Sequence, residues 1–465
     1  ELLAAASVRP GLPPELRGRC METTRNLLDD LLTSAMFDPL DGGVFSSRRG
    51  NSWSFPSFAR NCPDQGRVAV ALILAYRATG ETLALDRALA MISFAEKAYR
   101  TPDGLFAVGL AAEPEPADWM WSVEEVEKIL GPEDAAWWIQ ATRMKGLGNL
   151  PMEADPRREY FRQNTIGFAK SVERIAAELS LPVESFRTRF ESAKSKLLEA
   201  RSQRGGDRSR DESPHFGACF RMVSAYAAAY AATGDESYRE NAMELLERSR
   251  ETFTQGPALR LFPDETADSI GAGRAFHYAL AVQAALDVAA ASSDEKWLSW
   301  AEDLSATAAE TFIGDGMIKE CPDSAKLIDL PVTDAMMLFD DSSTGLFSLA
   351  ECRLAESNRP MVASFRKLVT PLPTNAIDRP ILYTDQLLAT LVRHYRLSVI
   401  SGKELPASLE DAVARLPLRT VHYRAAREGD EVPAGSVKGL LPQGQSAMVS
   451  TPEALQEALL PPSAK

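Results

Sequence analysis

The chain of 465 residues is 45% hydrophobic and carries a net charge of −14, with a pI near 5.0. That balance excludes a surface built for nucleic acid or anionic membrane, both of which need clustered Lys and Arg. No apolar run approaches the roughly 20 residues of a membrane span and no secretion signal opens the chain, so a cytoplasmic setting is expected; a start at Glu1 rather than Met leaves open the removal of a leading domain or signal.

Pro13 and Pro14 open a first helix that reaches about Phe37, with Leu16, Cys20, Leu27, Leu28, Leu31, Leu32 and Ala35 on one stripe. The loop that follows, GGVFSSRRGNSWSFPSFARNCPDQ over residues 42–65, is polar and carries glycines and aromatics. Gly42 and Gly43 permit sharp turns, Pro56 stiffens the stretch between Trp53 and Phe58, and Asp64 is placed to cap the next helix. That helix, running to about Ala78, is apolar nearly all round, which requires enclosure by neighbours. Gly80 ends it, and an amphipathic helix follows from about Leu83 to Tyr99.

The phrase joining those two helices recurs. Ala75-Tyr76-Arg77-Ala78-Thr79-Gly80-Glu81 is echoed by Ala229-Tyr230-Ala231-Ala232-Thr233-Gly234-Asp235, and more faintly by Val288 to Ala291 leading to Asp294-Glu295. A repeated buried-then-amphipathic pair is the mark of stacked helical hairpins. Outer helices are expected near 17–37, 84–99, 183–203, 236–253, 294–312 and 359–369, with buried partners near 64–79, 123–142, 216–232, 272–291, 335–355 and 381–398. These make an all-α (α/α)6 toroid, six-hairpin glycosidase-like in architecture. Residues 143–166 are too rich in breakers for one helix, and 204–214 read as a polar loop. Past Pro406 the period weakens; Thr420–Tyr423 and Ser446–Ser450 read as strands, with Thr451 and Pro452 opening a last helix. The expected division is a toroid over 1–417 and a small α+β segment over 418–465.

The loop at 42–65 also carries a resemblance. At Gly42, Gly43, Trp53, Pro56, Phe58, Arg60 and the Asp64-Gln65 pair, the sequence is similar to the family typified by spermatogenesis-associated protein 20. The resemblance implies a helical toroid akin to N-acylglucosamine 2-epimerases, a link to carbohydrate metabolism, and a thioredoxin-like domain. No counterpart of the latter exists here, since the chain has no CxxC and no βαβ pattern before residue 38. The family's histidines beside the proline are replaced by Ser54 and Ser57, its charged residues before the tryptophan by Gly50, Asn51 and Ser52, and its acidic residue after Phe58 by Ala59. What the resemblance implies is a kept framework from which ionisable groups have been lost.

Candidate ligand-binding residues from the same comparison are Trp53, Arg60, Asp64, Gln65, Trp119, Trp121 and Arg274. Indoles at a cavity mouth suit stacking on a sugar face, with plain packing as the competing account. Candidate catalytic residues are Asp211 and Glu212, paired carboxylates able to divide acid and base roles, and His277, on the helix face of Arg274. Solvated loop charges and a satisfied core histidine are the competing readings. Cys20, Cys62, Cys219, Cys321 and Cys352 lie too far apart in sequence to suggest a disulfide framework and read as single buried thiols. No metal-ligand spacing or dinucleotide or phosphate loop occurs, so no metal and no cofactor is expected. Three functions remain: a degenerate toroid that binds a small carbohydrate-like molecule or a protein partner; an active sugar isomerase, epimerase or glycoside hydrolase with a relocated catalytic set; and a structural subunit whose lumen is filled by its own side chains.

Overall fold

The computed structural model describes residues 1–109, 115–168, 170–204, 212–264, 271–322, 332–333, 336–337, 340–414, 416 and 419–459. Three helical hairpins share a junction whose residues explain the recurring phrase. Helices α1 (Leu2–Ser7) and α2 (Pro14–Leu32) are followed by α3 (Cys62–Thr79) and α4 (Thr82–Tyr99). Gly80 ends α3 in the left-handed region, where a missing Cβ removes the steric penalty. Thr79 Oγ1 donates back to the Ala75 carbonyl and accepts from Glu81 N, while Glu81 caps α4 at Leu83 N. Thr233, Gly234 and Asp235 repeat every one of these bonds between two later helices, and Ser292, Ser293 and Asp294 repeat them again, with Ser293 at φ 56°.

Those later pairs are α10 (Phe216–Thr233) with α11 (Glu236–Phe253), and α12 (Ala275–Ser292) with α13 (Glu295–Phe312). Helix α11 runs into the hairpin β1 (Thr254–Gln255) and β2 (Ala258–Leu259), and α13 into β3 (Ile313–Gly314) and β4 (Met317–Ile318). The chain continues through α14 (Ser343–Glu356), α15 (Ala363–Val369), α16 (Asn375–Asp378) and α17 (Thr384–His394). In space, α3 packs on α10, α10 on α12, α12 on α14, α14 on α17, α17 on α1, and α1 on α3. The inner helices thus close into a six-membered ring, with α2, α4, α11, α13 and α15 outside it. One continuous apolar core, rich in alanine on α10 and α12, fills the space between the two layers. Alanine lets inner helices approach closely; at Gly66 a Cβ would lie 2.8 Å from the Arg221 backbone, so α3 and α10 touch there without side chains between.

Two expected ring members lie elsewhere. The stretch near 123–142 forms α6 (Val123–Leu130) and α7 (Pro132–Ala141), preceded by α5 (Pro116–Trp119), and 183–203 forms α9 (Val183–Ser202), preceded by α8 (Val172–Glu178). Helices α6 to α9 bury their apolar faces against one another around Trp121, Trp137, Trp138, Phe186 and Phe190, in a second core inserted between α4 and α10. Periodicity records that a helix has an apolar face, not which neighbour covers it, so the count of six came out right through the wrong members. The missing inner helix is α1, whose six residues are too short for a periodic signal.

Toward the C-terminus, β5 (Ser398–Ser401), α18 (Ala407–Ala414), β6 (His422–Ala425), β7 (Val437–Leu440), β8 (Ser446–Val449) and α19 (Pro452–Leu459) build an α+β unit with strand order β6-β5-β7-β8. Its own core begins at Leu397. Since the sheet takes a central strand from before residue 418, we propose that this unit starts near Leu397 rather than at the boundary the weakening helical period suggests.

Candidate functional site

Helices α3 and α10 match residue for residue back from Gly80 and Gly234, and each carries an arginine as its sixth residue, Arg67 and Arg221. Both stand near the end of the ring where inner helices begin. The loop entering α14 brings two adjacent carboxylates against them. Arg221 reaches Asp340 at 2.6 Å and Asp341 at 2.8 Å; Arg67 reaches Asp341 at 3.0 Å and Asp340 at 3.5 Å. Burial alone would raise the Asp341 carboxyl, but Arg221 and Arg67 outweigh it and hold its pKa at about 2. Next to this quartet Asp385 accepts from Ser342 N and Oγ at 2.7 and 2.6 Å and from Gln386 N at 2.7 Å. It occupies room that exists because residue 345 is glycine: a Cβ there would lie 2.1 Å from an Asp385 oxygen. Burial, aided by the charge of Asp341, raises the Asp385 pKa.

Asp64, Arg67, Asp341 and Asp385 line a cavity of about 770 Å3 that runs from this mouth down between α2, α3, α14 and α17 to α1 and Arg419. Most of its wall is aliphatic, and Phe45 is its aromatic ring. At its deep end the lumen closes. Asp287 of α12 accepts from Arg353 of α14 at 2.7 Å and from Arg419 at 3.1 Å; Arg353 also reaches Gln283 at 3.0 Å. Arg419 enters from the C-terminal unit, whose strand β6 packs on α14. The space left beside Ser224, Asp287 and Arg419 is about 20 Å3, enough for one water.

The residues singled out in the sequence are distributed as follows. Arg60 is buried, paired with Asp38 at 2.5 Å and Asp41 at 2.8 Å, and lies 4.3 Å from the Trp119 ring centre. Arg201 of α9 covers the same indole at 4.4 Å and pairs with the same two carboxylates. Arg60 and Trp119 therefore meet, in a packed clamp that fastens the inserted helices to the loop. Trp121 lies in the second core beneath Arg204, and Trp53 is half-buried beneath Arg48. Gln65 is buried and exchanges two 2.8 Å bonds with the Val44 backbone, pinning the loop. Asp64 does not cap α3: Asn61 does, accepting from Asp64 N at 2.8 Å, which leaves the Asp64 carboxylate at the cavity. Arg274 precedes α12, and its backbone N donates to His277 Nδ1 at 3.4 Å. His277 is half-buried and packs edge-on against Phe216 and Phe276; burial, with His215 and Arg274 nearby, pushes its pKa down to about 3. Glu212 is exposed in the irregular segment before α10, and Asp211 lies outside the described residues.

Arg67, Arg221, Asp340, Asp341 and Asp385 escaped selection. The signal for the arginines was present: registering the two repeats on their terminal glycines superposes Arg67 on Arg221. Four cysteines are buried and Cys321 is half-exposed. Among the described residues no group of His, Cys, Asp and Glu is placed to hold a metal ion, and no helix is long and apolar enough to cross a membrane.

A closed ring of inner helices inside a layer of outer ones, with polar groups gathered at one mouth, defines a helical toroid built of α-hairpins. Among known proteins the chain is similar to spermatogenesis-associated protein 20: 25% identical to the human protein over 317 residues and 24% to the mouse protein over 312, in each case covering 61% of this chain. The resemblance read from residues 42–65 is thereby borne out, over a chain that spans 39% of the length of these relatives. No family model matches. Solved structures that align with it include a D-mannose isomerase (TM-score 0.37, 12% identity, 83% of this chain and 88% of that one) and a sugar epimerase from a ruminal bacterium (TM-score 0.34, 12% identity, 81% and 87%). The assignment of the fold rests on the closure of the ring itself.

Proposed function

We propose that this chain is an epimerase-like toroid that binds without converting, taking its ligand, a carbohydrate-like molecule or a segment of a partner protein, at the mouth of the inner ring. The observation that carries this reading is the state of the ionisable groups there. Arg67, Arg221, Asp340 and Asp341 neutralise one another; His277, outside the cavity lining and half-buried against Phe216 and Phe276 with its pKa pushed down to about 3, is a poor general base at neutral pH. An aliphatic wall with Phe45 as its aromatic ring favours the partner segment over a sugar, because sugar faces are held by stacked rings and dense hydrogen bonding. The test is incubation with N-acetylglucosamine, mannose and cellobiose, followed by chromatography of the sugars. No conversion is expected; turnover that disappears in His277→Ala would overturn the reading.

One observation favours an active alternative. Asp341 and Asp385 line the same cavity with pKa values displaced in opposite directions, as a general acid and its ionised partner require. That reading expects hydrolysis of aryl glycosides, lost in Asp385→Asn; inertness toward a panel of such glycosides removes it.

A further inference from the structure

Strand β6 lies at the edge of the C-terminal sheet, and its side chains alternate between two faces. Val421 and Tyr423 join that unit's own core, so His422 and Arg424 project the other way, toward the ring helix α14 on which β6 packs. A cavity of about 290 Å3 lies there, behind the closed end of the lumen, with Leu286, Ala289 and Leu298 as its aliphatic wall. Arg353 of α14 and His422 also line it, each only 6% exposed. Both hydrogen bonds of Arg353 leave from Nη1, to Gln283 and Asp287. Its Nε and Nη2, and the His422 imidazole, meet no hydrogen-bond partner among the described residues, and they stay open to the cavity rather than sealed in the core. The backbone adds donors. His422 N and Ala426 N bond the Leu397 and Ser401 carbonyls, and along a parallel ladder alternate residues bond the same neighbour. The amides of Tyr423 and Ala425 therefore turn to the open edge, and both residues line the cavity.

Charge points the same way. Asp287 pairs with Arg353 and Arg419, and Glu356 with Arg396, but among the described residues no carboxylate pairs with Arg9. Arg9 is 2% exposed and donates to the Thr420 carbonyl, two residues before His422. An interior guanidinium without a counter-charge is costly, and an anion bound nearby offsets that cost. Burial, with Arg353, Arg9 and Arg396 around it, pushes the His422 pKa down to about 3, so the neutral imidazole keeps one N–H to donate. We infer that this cavity binds a small organic phosphate monoester, its phosphoryl oxygens on Arg353 Nε and Nη2, the His422 imidazole and the Tyr423 and Ala425 amides, its organic group on the aliphatic wall. These N–H groups outnumber the about four lone-pair sites of a carboxylate and suit the three strongly accepting oxygens of a phosphate. The planar fork of Arg353 holds two of those oxygens side by side. The site is separate from the mouth and stands whether the mouth binds or converts its ligand.

The test is isothermal titration of the full chain with glycerol 3-phosphate at neutral pH and low salt, with succinate as the carboxylate of similar charge. Expected is one-to-one binding of glycerol 3-phosphate, at least about tenfold tighter than succinate. The same affinity should fall at least about tenfold in His422→Phe, which keeps the volume but not the donor, and in Arg353→Lys, which keeps the charge facing Asp287 but not the fork. A second measurement needs no variant: in the unmodified chain glycerol 3-phosphate should slow hydrogen exchange of the Tyr423 and Ala425 amides, read by mass spectrometry over 419–427. Absence of binding, succinate binding as tightly, full affinity in folded His422→Phe, or exchange protection confined to other segments would each overturn the inference.

Discussion

Single titratable groups in this molecule report burial. His277 and His422 both sit with pKa values pushed by burial from 6.5 to about 3, so each is neutral in the folded protein and protonated below pH 6.5 once unfolded. The unfolded chain then binds more protons, and stability falls as pH drops from about 6.5 toward 3. Urea unfolding midpoints at pH 7 and pH 5 should show this loss, and His277→Gln should diminish it by about 1.4 kcal/mol per pH unit within that window. An unchanged pH slope in His277→Gln would mean that the imidazole is open to solvent. Asp341 acts lower on the scale: its contribution is complete above pH 3.8 and disappears as pH approaches about 2. Asp287 is the more consequential carboxylate, because Asp287→Ala strands Arg353 and Arg419 in the closed lumen. A loss of about 3–5 kcal/mol is expected, measured by denaturant titration.

Elements meet here through backbone contact as much as through side chains. Where α3 crosses α10, Gly66→Ala would place a methyl 2.8 Å from the Arg221 backbone, which cannot withdraw as a flexible side chain could. The helices must separate, at a cost of about 1–3 kcal/mol. Since Arg67 and Arg221 flank that contact, the ion-pair quartet with Asp340 and Asp341 should loosen with it. Differential scanning calorimetry should find Gly66→Ala destabilised while Gly80→Asn, at an open left-handed position, stays within about 1 kcal/mol of the parent. Comparable losses in the two variants would contradict the close crossing.

At the scale of the whole molecule, the C-terminal unit and the ring share one polar core. Arg419 is hydrogen-bonded to Asp287 and Arg9 donates to the Thr420 carbonyl at 2.8 Å, so the appendage seals one end of the lumen and leaves the cavity opening toward the other. Arg419→Ala should lower the melting temperature and sharpen proteolysis within 397–459, observed by limited trypsin digestion and mass spectrometry. Cleavage spread evenly over the chain would argue against that local coupling.

From the residues alone one could read the helical ring, the thrice-repeated junction, the buried α3, α10 and α12, and the last helix, because those features depend on local chemistry: glycine and serine at left-handed ends, acidic caps, and apolar periods of 3.6. Which helices enclose the lumen was set by packing. An amphipathic face on 123–142 or 183–203 satisfies its burial equally well in the ring or in the second core, and only the folded arrangement chooses. The same holds for the site. Trp53, Trp119 and Trp121 were conspicuous as side chains but are absorbed into packing, while the adjacent Asp340 and Asp341 look locally like any acidic turn that caps a helix and Asp385 has no distinguishing local pattern. They matter because three elements far apart in sequence bring them to Arg67 and Arg221 at one mouth, a long-range juxtaposition that no short-range pattern encodes.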